Sequence, residues 1–171
     1  MILLLALAPF ALAHADEESE VRIKAAFLYK FGGFVEWPPP AFADARSPFI
    51  IGVLSADSVA AELERVVAGR TVHGRPVEVR RLQRGDATRG LHVLFVGQSE
   101  SARLPEILRA SKGRPLLVVT ESDSALEQGS VINFVVVDDK VRFDVALAPA
   151  GRSNLRISAR LLSVARNVVP G

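Results

Sequence analysis

The stretch Val21-Arg-Ile-Lys-Ala-Ala-Phe-Leu-Tyr-Lys-Phe-Gly-Gly-Phe-Val-Glu-Trp-Pro38 holds the chain's only Tyr and its only Trp. Apolar residues recur in it at helical spacing in two adjacent stripes, which together form an apolar arc wider than a lone surface helix needs. Gly32 and Gly33 are expected to end this helix, and the prolines from Pro38 onward prevent its resumption. The first stripe is Val21, Ala25 and Leu28, and the second is Ile23, Phe27, Phe31 and Phe34.

This predicted helix has two compatible interpretations. In the first, it forms the N-terminal wall of the core, because aromatic stripes are usually buried. In the second, its rim from Phe34 to Trp37 stays partly exposed and contacts a partner.

The residues before this helix resemble a signal peptide. Residues 1–15 are an apolar run with a small-residue end, and Ala13-His14-Ala15 fits the usual cleavage pattern. The run is too short to span a membrane comfortably, although the Lys or Arg that normally precedes it is missing. We therefore expect cleavage after residue 15, export from the cytoplasm, and a mature chain that does not insert into a membrane.

The composition is that of a globular protein. The chain has 171 residues, of which 49% are hydrophobic and 23% are charged, so a single domain over residues 16–171 is expected. A formal net charge of only +2 gives no reason to expect nucleic-acid binding. The absence of cysteine excludes disulfides, thiolate catalysis, iron–sulfur clusters and thiolate zinc sites.

Downstream of the first helix, buried strands alternate with amphipathic helices. Short continuous apolar runs are typical of strands that are buried on both faces. An alternating segment over residues 70–82 indicates a strand near the edge of the sheet, with one face in solvent. The apolar runs are residues 49–54, 92–96 and 115–120, and the predicted helices lie within residues 57–69 and 97–113.

The C-terminal third breaks this alternation. Residues 131–147 are predicted to form an antiparallel hairpin around Asp138 and Asp139, which resemble a turn more than a calcium site. In its second strand, Phe143 points inward with the other apolar residues, while Arg142 and Asp144 point outward. Residues 155–169 are predicted to form a final helix.

The predicted fold class is therefore α/β. We expect a single domain with a mixed, mostly parallel sheet, helices on both faces, and a C-terminal antiparallel hairpin.

The sequence contains no recognisable catalytic, metal or nucleotide motif. His73 and His92 lack metal-ligand spacing, and we expect His92 to be satisfied by backbone groups at the end of a strand. Ser99 follows a buried strand, where sites of α/β proteins often lie, but no nucleophile elbow surrounds it. We therefore predict a non-enzymatic protein with no catalytic residue, no metal and no cofactor.

The remaining candidate is the surface. If the predicted last helix starts early, Arg152, Arg156 and Arg160 form one basic stripe on it, beside the outward Arg142. Such a stripe is either an ordinary solvated face or, because guanidinium groups near exposed apolar residues are typical of interfaces, a docking face.

These residues carry a family resemblance. Lys24-Ala-Ala-Phe-Leu-Tyr-Lys-Phe31, followed by Phe34-Val-Glu-Trp-Pro38, resembles the opening signature of the YfiR-like family of bacterial periplasmic proteins. The resemblance extends over the whole mature chain, in order, through motifs that are weak individually. The later motifs are Gly74-Arg-Pro-Val77, His92-Val-Leu-Phe-Val96, Ser99-Glu100, Ile132-Asn-Phe-Val135, Arg142-Phe-Asp-Val145 and Leu155-Arg-Ile-Ser-Ala-Arg-Leu-Leu162.

The resemblance implies a periplasmic regulator. The best-known relative holds an inner-membrane diguanylate cyclase inactive through its periplasmic sensor part, and its release raises cyclic-di-GMP and favours biofilm. Other members resemble accessory proteins of sensor kinases or outer-membrane receptors. Some relatives carry a cysteine where this chain has Leu91, so control through a disulfide at that position is not available here.

The predicted partner is an inner-membrane signalling protein, either a diguanylate cyclase or a sensor kinase, and a homodimer is a further possibility. A small-ligand sensor, with its cleft beyond Val96 and Thr120, is the alternative from a different class. The anchors predicted for partner binding are Trp37, Arg142, Phe143, Arg156 and Arg160.

Overall fold

The computed structural model describes residues 9–171, with side chains from residue 16 onward. The predicted signal peptide over residues 1–15 therefore lies outside the residues described in full. No helix within residues 9–171 is both long enough and apolar enough to cross a membrane.

The first helix, α1, spans Pro9–Phe34 and contains the two predicted stripes. Its Ala25, Leu28 and Phe31 are fully buried, so the first interpretation, that this helix forms a wall of the core, is confirmed. The helix does not end at the glycines as predicted, because both lie inside it. A Cβ on Gly32 would lie only 3.1 Å from the Phe49 ring, so this glycine allows close packing rather than ending the helix.

Ten strands and five further helices follow α1 in the described part of the chain. They are β1 Val35–Glu36, β2 Phe49–Leu54, α2 Asp57–Val67, β3 Thr71–Val72, β4 Arg75–Leu82, β5 Val93–Val96, α3 Leu104–Ser111, β6 Leu117–Thr120, α4 Ala125–Gln128, β7 Ile132–Val137, β8 Lys140–Ala146, α5 Leu147–Arg152, β9 Arg156–Ile157, α6 Ala159–Val164 and β10 Asn167–Val169. Short 3-10 helices lie at Pro39–Ala41 and Gln98–Arg103.

The main sheet has eight strands in the order β10-β8-β7-β6-β5-β2-β4-β3. Five neighbouring pairs are parallel. The β7–β8 and β3–β4 pairs are antiparallel. A single α/β domain with a mixed, mostly parallel sheet and a C-terminal hairpin is therefore confirmed. The hairpin turns at Asp138 and Asp139, whose positive φ values of 50° and 57° match the predicted turn.

Two apolar clusters lie on the two faces of the sheet. The larger joins α1, α2 and α6 to the strands through Phe31, Leu63 and Leu161, among others. The smaller joins α3 and α4 to the opposite face through Leu94, Leu104 and Ala125, among others. The alternation of inward and outward side chains along the strands therefore buries both faces.

The predicted final helix over residues 155–169 is wrong. This segment instead forms β9, α6 and β10, and β10 pairs parallel to β8. Asn154 adopts a left-handed φ of 54°, and Ser158 caps α6 by accepting a hydrogen bond from the Leu161 N–H, so two breaks divide the segment. The guanidinium of Arg166 then binds both carboxylate oxygens of Asp144 on β8. Asp144 is therefore buried, and the prediction that it lies on an outward, exposed face is wrong.

Candidate binding surfaces and cleft

Trp37 follows β1 and is only half-buried. Its Nε1–H donates to the carbonyl oxygen of His92 at 3.2 Å, and its ring packs edge-on against Phe49 at 4.9 Å. The indole therefore fastens the end of α1 to the sheet and leaves part of one edge accessible to a partner.

His92 is held as a single neutral tautomer. The N–H of Ile50 donates to its Nδ1 at 3.0 Å, so Nδ1 carries no proton, and its Nε2–H donates to the Ala41 carbonyl at 3.1 Å. The ring also stacks on Phe42 and Phe49. Burial lowers the pKa of His92 below its usual value of 6.5. The expectation that backbone groups satisfy this histidine is confirmed.

This environment predicts a loss of stability in mild acid. The pKa of His92 is lower in the folded chain than in the unfolded chain. Below pH 6.5, His92 is therefore protonated in the unfolded chain while it remains neutral in the folded chain. The free energy of unfolding should then fall by up to about 1.4 kcal/mol per pH unit between 6.5 and the folded pKa, and should be unaffected above 6.5. Urea unfolding at pH 7.5 and 5.5 measures it. His92→Asn should remove the part of the acid-induced loss of stability that His92 causes, whereas the matched variant His73→Asn should keep it. An equal dependence of the free energy of unfolding on pH in both variants would contradict the assignment of this loss to His92.

Phe143 and Arg142 lie on opposite faces of β8. Phe143 is 1% exposed, and its ring packs against Phe27 at 5.2 Å and Phe31 at 5.1 Å. It therefore belongs to the core, and this conformation does not present it to a partner as predicted. Arg142 is exposed on the face that points away from α1.

Arg156 and Arg160 do not share a helix, but both remain at the surface. Arg156 lies on β9 opposite Glu36 of β1, and its side chain, 85% exposed, approaches the Glu36 carboxylate at 3.9 Å. Arg160 is exposed in the first turn of α6. Trp37 directly follows Glu36 on β1, and Arg160 lies four residues after Arg156, at the start of α6. We call Glu36, Trp37, Arg156 and Arg160 the β1–β9 corner. Arg142, on the opposite face of the sheet, is not part of it.

A cleft of about 750 Å³ lies beyond the carboxyl ends of β2, β5 and β6. This is where ligands of open parallel sheets usually bind, and it is the place predicted beyond Val96 and Thr120. One wall consists of residues 17–24 of α1 and the other of β7. Its lining includes Glu17, Val21, Lys24, Ser55, Gln98, Glu121, Ser122, Asp123, Asn133 and Val136.

Lys24 is the buried charge of this cleft. Its ammonium binds the carboxylates of Glu20, one turn earlier on α1, and Glu121, which follows β6. Burial acts to lower the pKa of Lys24, but its hydrogen bonds to the two carboxylates outweigh burial and raise the pKa above 10.5. The backbone N–H of Gln98 donates to the other oxygen of Glu121 at 2.9 Å, so the strand ends share one polar network.

This network is not evident from the sequence alone. The Glu20 and Lys24 spacing is a recognisable i, i+4 pair, but nothing local in the sequence links Lys24 to Glu121. The hydroxyl of Ser122 is also buried at the cleft and has no hydrogen-bond partner among the described residues.

Ser99 lies at the rim of this cleft, and no His, Asp or Glu side chain among the described residues hydrogen-bonds to its hydroxyl. The nearest acceptor of its hydroxyl is the Ser55 carbonyl, at 3.5 Å. The ring nitrogens of His92 are both engaged elsewhere, and His73 binds the carbonyl of Val35 through Nε2. In the described part of the chain, no three His, Cys, Asp or Glu side chains are grouped so that they could hold a metal ion.

Comparison with protein-family models matches residues 21–166 to the family described as YfiR/HmsC-like. The match begins at Val21, the first residue of the stretch that predicts the first helix, and ends at Arg166, immediately before β10. A search of curated proteins finds no match.

Proposed function

The chain belongs to the YfiR/HmsC-like family, a family of regulators of the periplasmic type, and from this premise we propose a specific role. The protein is a non-enzymatic periplasmic regulator that binds the periplasmic sensor region of an inner-membrane signalling protein and represses a diguanylate cyclase. The observation that carries the proposal is the family match over residues 21–166, which covers the whole main sheet except β10.

The β1–β9 corner supplies a surface suited to this role. Arg156 and Glu36 have side chains that are 85% and 71% exposed, so their 3.9 Å approach contributes little to stability and leaves the guanidinium free for a carboxylate of the partner. Trp37 and Arg160 complete a group of the residue types that most often anchor protein interfaces.

Repression through this surface needs no reactive group. The regulator must bind the inactive state of the sensor more tightly than the active state, and the difference in binding free energy sets the repression. A signal that weakens binding then releases the cyclase, raises cyclic-di-GMP in the cytoplasm and favours biofilm.

Charge reversal at Arg156 and Arg160 tests the proposal. We expect Arg156→Glu with Arg160→Glu to reduce crosslinking to the membrane partner at least tenfold and to raise cyclic-di-GMP to the level of a strain that lacks the protein, because both exposed guanidinium anchors are lost. The measurements are crosslinking of the tagged mature chain in its native periplasm, mass spectrometry and a cyclic-di-GMP reporter.

The matched control is Arg65→Glu with Arg109→Glu, two exposed arginines on α2 and α3 whose reversal changes the net charge equally. This control should bind and repress like wild type. A partner that is a histidine kinase or an outer-membrane receptor would keep the regulatory role and replace the cyclase. Wild-type binding by the Arg156 and Arg160 variant would remove the β1–β9 corner from the proposal.

The cleft favours a second candidate, a small-ligand sensor. The buried Ser122 hydroxyl lacks a partner among the described residues, and Lys24 lies buried in the α1 wall with its two carboxylates, so polar groups converge in a concave site. If crosslinking finds no membrane partner, a periplasmic metabolite that raises the melting temperature of the wild type is the expected finding.

A further inference from the structure

β7 is paired along only the first third of its cleft side. On that side β6 pairs with Ile132 and Asn133 and then ends at Thr120. The side chain of Asn133 closes this ladder, because its Oδ1 accepts from the Thr120 hydroxyl at 2.7 Å and from the Ser122 N–H at 3.1 Å. The chain beyond β6 is thereby turned away, and in the described part of the chain Phe134–Val137 continue without a neighbouring strand on that side.

The geometry of the β7–β8 hairpin determines which backbone groups of residues 134–137 are not bonded to β8. Val137 and Lys140 flank the turn at Asp138 and Asp139, and such a flanking pair exchanges hydrogen bonds between the two strands. Pairs alternate along the ladder, so Val135 bonds to β8, whereas Phe134 and Val136 turn their N–H and C=O to the cleft side. The Phe134 N–H completes the pairing of β7 with Thr120, which leaves the Phe134 C=O and both backbone groups of Val136 open in the cleft. A short open edge therefore exists, which we call the β7 edge and define as residues 134–137.

The β7 edge is apolar, accessible and flanked by negative charge. Val136 is 53% exposed and Val137 is 37% exposed. Val136 lines the cleft, whose opposite wall is α1. Asp138 and Asp139 lie at one end of the edge. Glu17, Glu121 and Asp123 lie across the cleft or at the other end.

The distribution of charges around the cleft leaves its rim acidic. Within the described residues, Glu17, Asp123, Asp138 and Asp139 make no ion pair. Lys24 and Arg166, the cations that line the cleft, are both bound to carboxylates. The exposed Lys140 and Arg142 lie on β8, on the far side of β7 from the edge.

We propose that the β7 edge receives an extended segment of the signalling partner, which adds a strand to the sheet and carries Lys or Arg at its ends. Backbone hydrogen bonds to Phe134 and Val136 would supply affinity, β-branched side chains would pack on Val136, and the basic ends would meet the acidic rim. This inference rests on the proposed regulatory function and names the kind of segment that is bound.

Charge argues against a second copy of this chain as the occupant. Two β7 edges paired antiparallel would bring Asp138 and Asp139 of each copy toward the end where the Glu121 and Asp123 of the other lie. Like charges directly opposite each other on neighbouring strands are destabilising. A segment with basic ends meets no such repulsion.

Val136→Pro tests the edge selectively. Proline removes the N–H that points into the cleft and spares the ladder to β8, and proline is tolerated on edge strands. The matched variant Val136→Thr keeps the N–H and the β-branched shape. A photo-crosslinking amino acid at Val137 reports contact at the edge, and the same group at Val164, 62% exposed on α6, serves as the control position.

In cells we expect position 137 to crosslink to a membrane-protein segment with strand-forming residues and a Lys or Arg within about three residues of the crosslink, the spacing at which such an end reaches the acidic rim. Val136→Pro should reduce this product at least tenfold, while Val136→Thr, which keeps the N–H, should reduce it far less. A product between two copies of this chain would overturn the choice of occupant. An unchanged product with Val136→Pro would overturn strand addition.

The outcomes also separate this inference from the proposed function. If position 137 gives no product while deletion of the protein still raises cyclic-di-GMP, the β7 edge is not used and the regulatory function stands. If position 137 gives the expected kind of segment but deletion changes no cyclase or kinase output, strand addition stands and the proposed function fails.

Discussion

Replacing Phe31 with alanine is expected to lower the free energy of unfolding by about 4 kcal/mol, the usual cost of removing a fully buried Phe. Phe31 is 0% exposed, and its ring lies 5.8 Å from Phe27, 5.8 Å from Phe134 and 5.1 Å from Phe143. The substitution therefore removes buried apolar area together with three aromatic contacts at the place where α1 crosses the hairpin. Urea denaturation followed by circular dichroism measures it.

The control is Ile23→Ala on the same helix. Ile23 is 37% exposed, so its loss should cost at most about 1 kcal/mol, and the same alanine substitution is then compared on the buried and exposed faces of α1. Since domains of this size are stable by roughly 5–15 kcal/mol, Phe31→Ala should also shift the thermal midpoint markedly. A loss below about 2 kcal/mol would mean that α1 does not form the centre of the larger apolar cluster.

The architecture could be predicted because its signals are local. The stripes of α1, the apolar runs of β2, β5 and β6, and the turn at Asp138 and Asp139 each depend on residues that are close in sequence. Each of these elements is present in the structure, with α1 longer than expected. Local patterns also indicated the order of strands and helices, and hence the mixed sheet.

The C-terminal segment was predicted wrongly because its structure depends on distant partners. Residues 155–169 contain apolar residues at helical spacing, and nothing within them reveals that Arg166 bonds to Asp144 or that β9 pairs with β1. Tertiary contacts outweigh a weak helical pattern of this kind. The error moved Arg156 and Arg160 onto one helix, although their exposure was anticipated correctly.

The candidate sites likewise have features that local sequence patterns predict and features that depend on residues far apart in the sequence. The location of the cleft follows from the strand order and was predicted, but the link from Lys24 to Glu121 joins residues 97 positions apart and was not. Likewise, the alternation along β8 predicted that Arg142 points outward. The open β7 edge could not be predicted in this way, because it exists only where the neighbouring strand β6 ends early. A single sequence shows which residues are strand-forming and does not show where a neighbouring strand stops.

Gly97→Ala is expected to destabilise the protein by about 3 kcal/mol, at the upper end of the range for overpacking. Gly97 has an ordinary extended backbone, with φ −65° and ψ 156°, so alanine is not excluded by its conformation. The cost is steric, because a Cβ there would lie 2.5 Å from the Ser55 carbonyl oxygen and 3.1 Å from that of Leu54. Both neighbours are backbone atoms, and the Gly97 N–H bond to the Leu54 carbonyl at 2.9 Å holds them close, so no side-chain rotation can relieve the contact.

The matched substitution is Gly33→Ala, which is expected to act in the opposite direction. Gly33 is exposed within α1, and a methyl group added to it would have no atom within 4 Å, so alanine should stabilise the helix by about 0.5–1 kcal/mol. Urea unfolding of the two variants therefore compares one chemical change in two environments. If Gly97→Ala lost less than about 1 kcal/mol, the ends of β2 and β5 would have to separate easily, and the floor of the cleft would be more compliant than these distances indicate. If it lost the expected amount, the close contact between β2 and β5 would be a fixed constraint on how Ser55, Gln98 and Glu121 are presented to whatever enters the cleft.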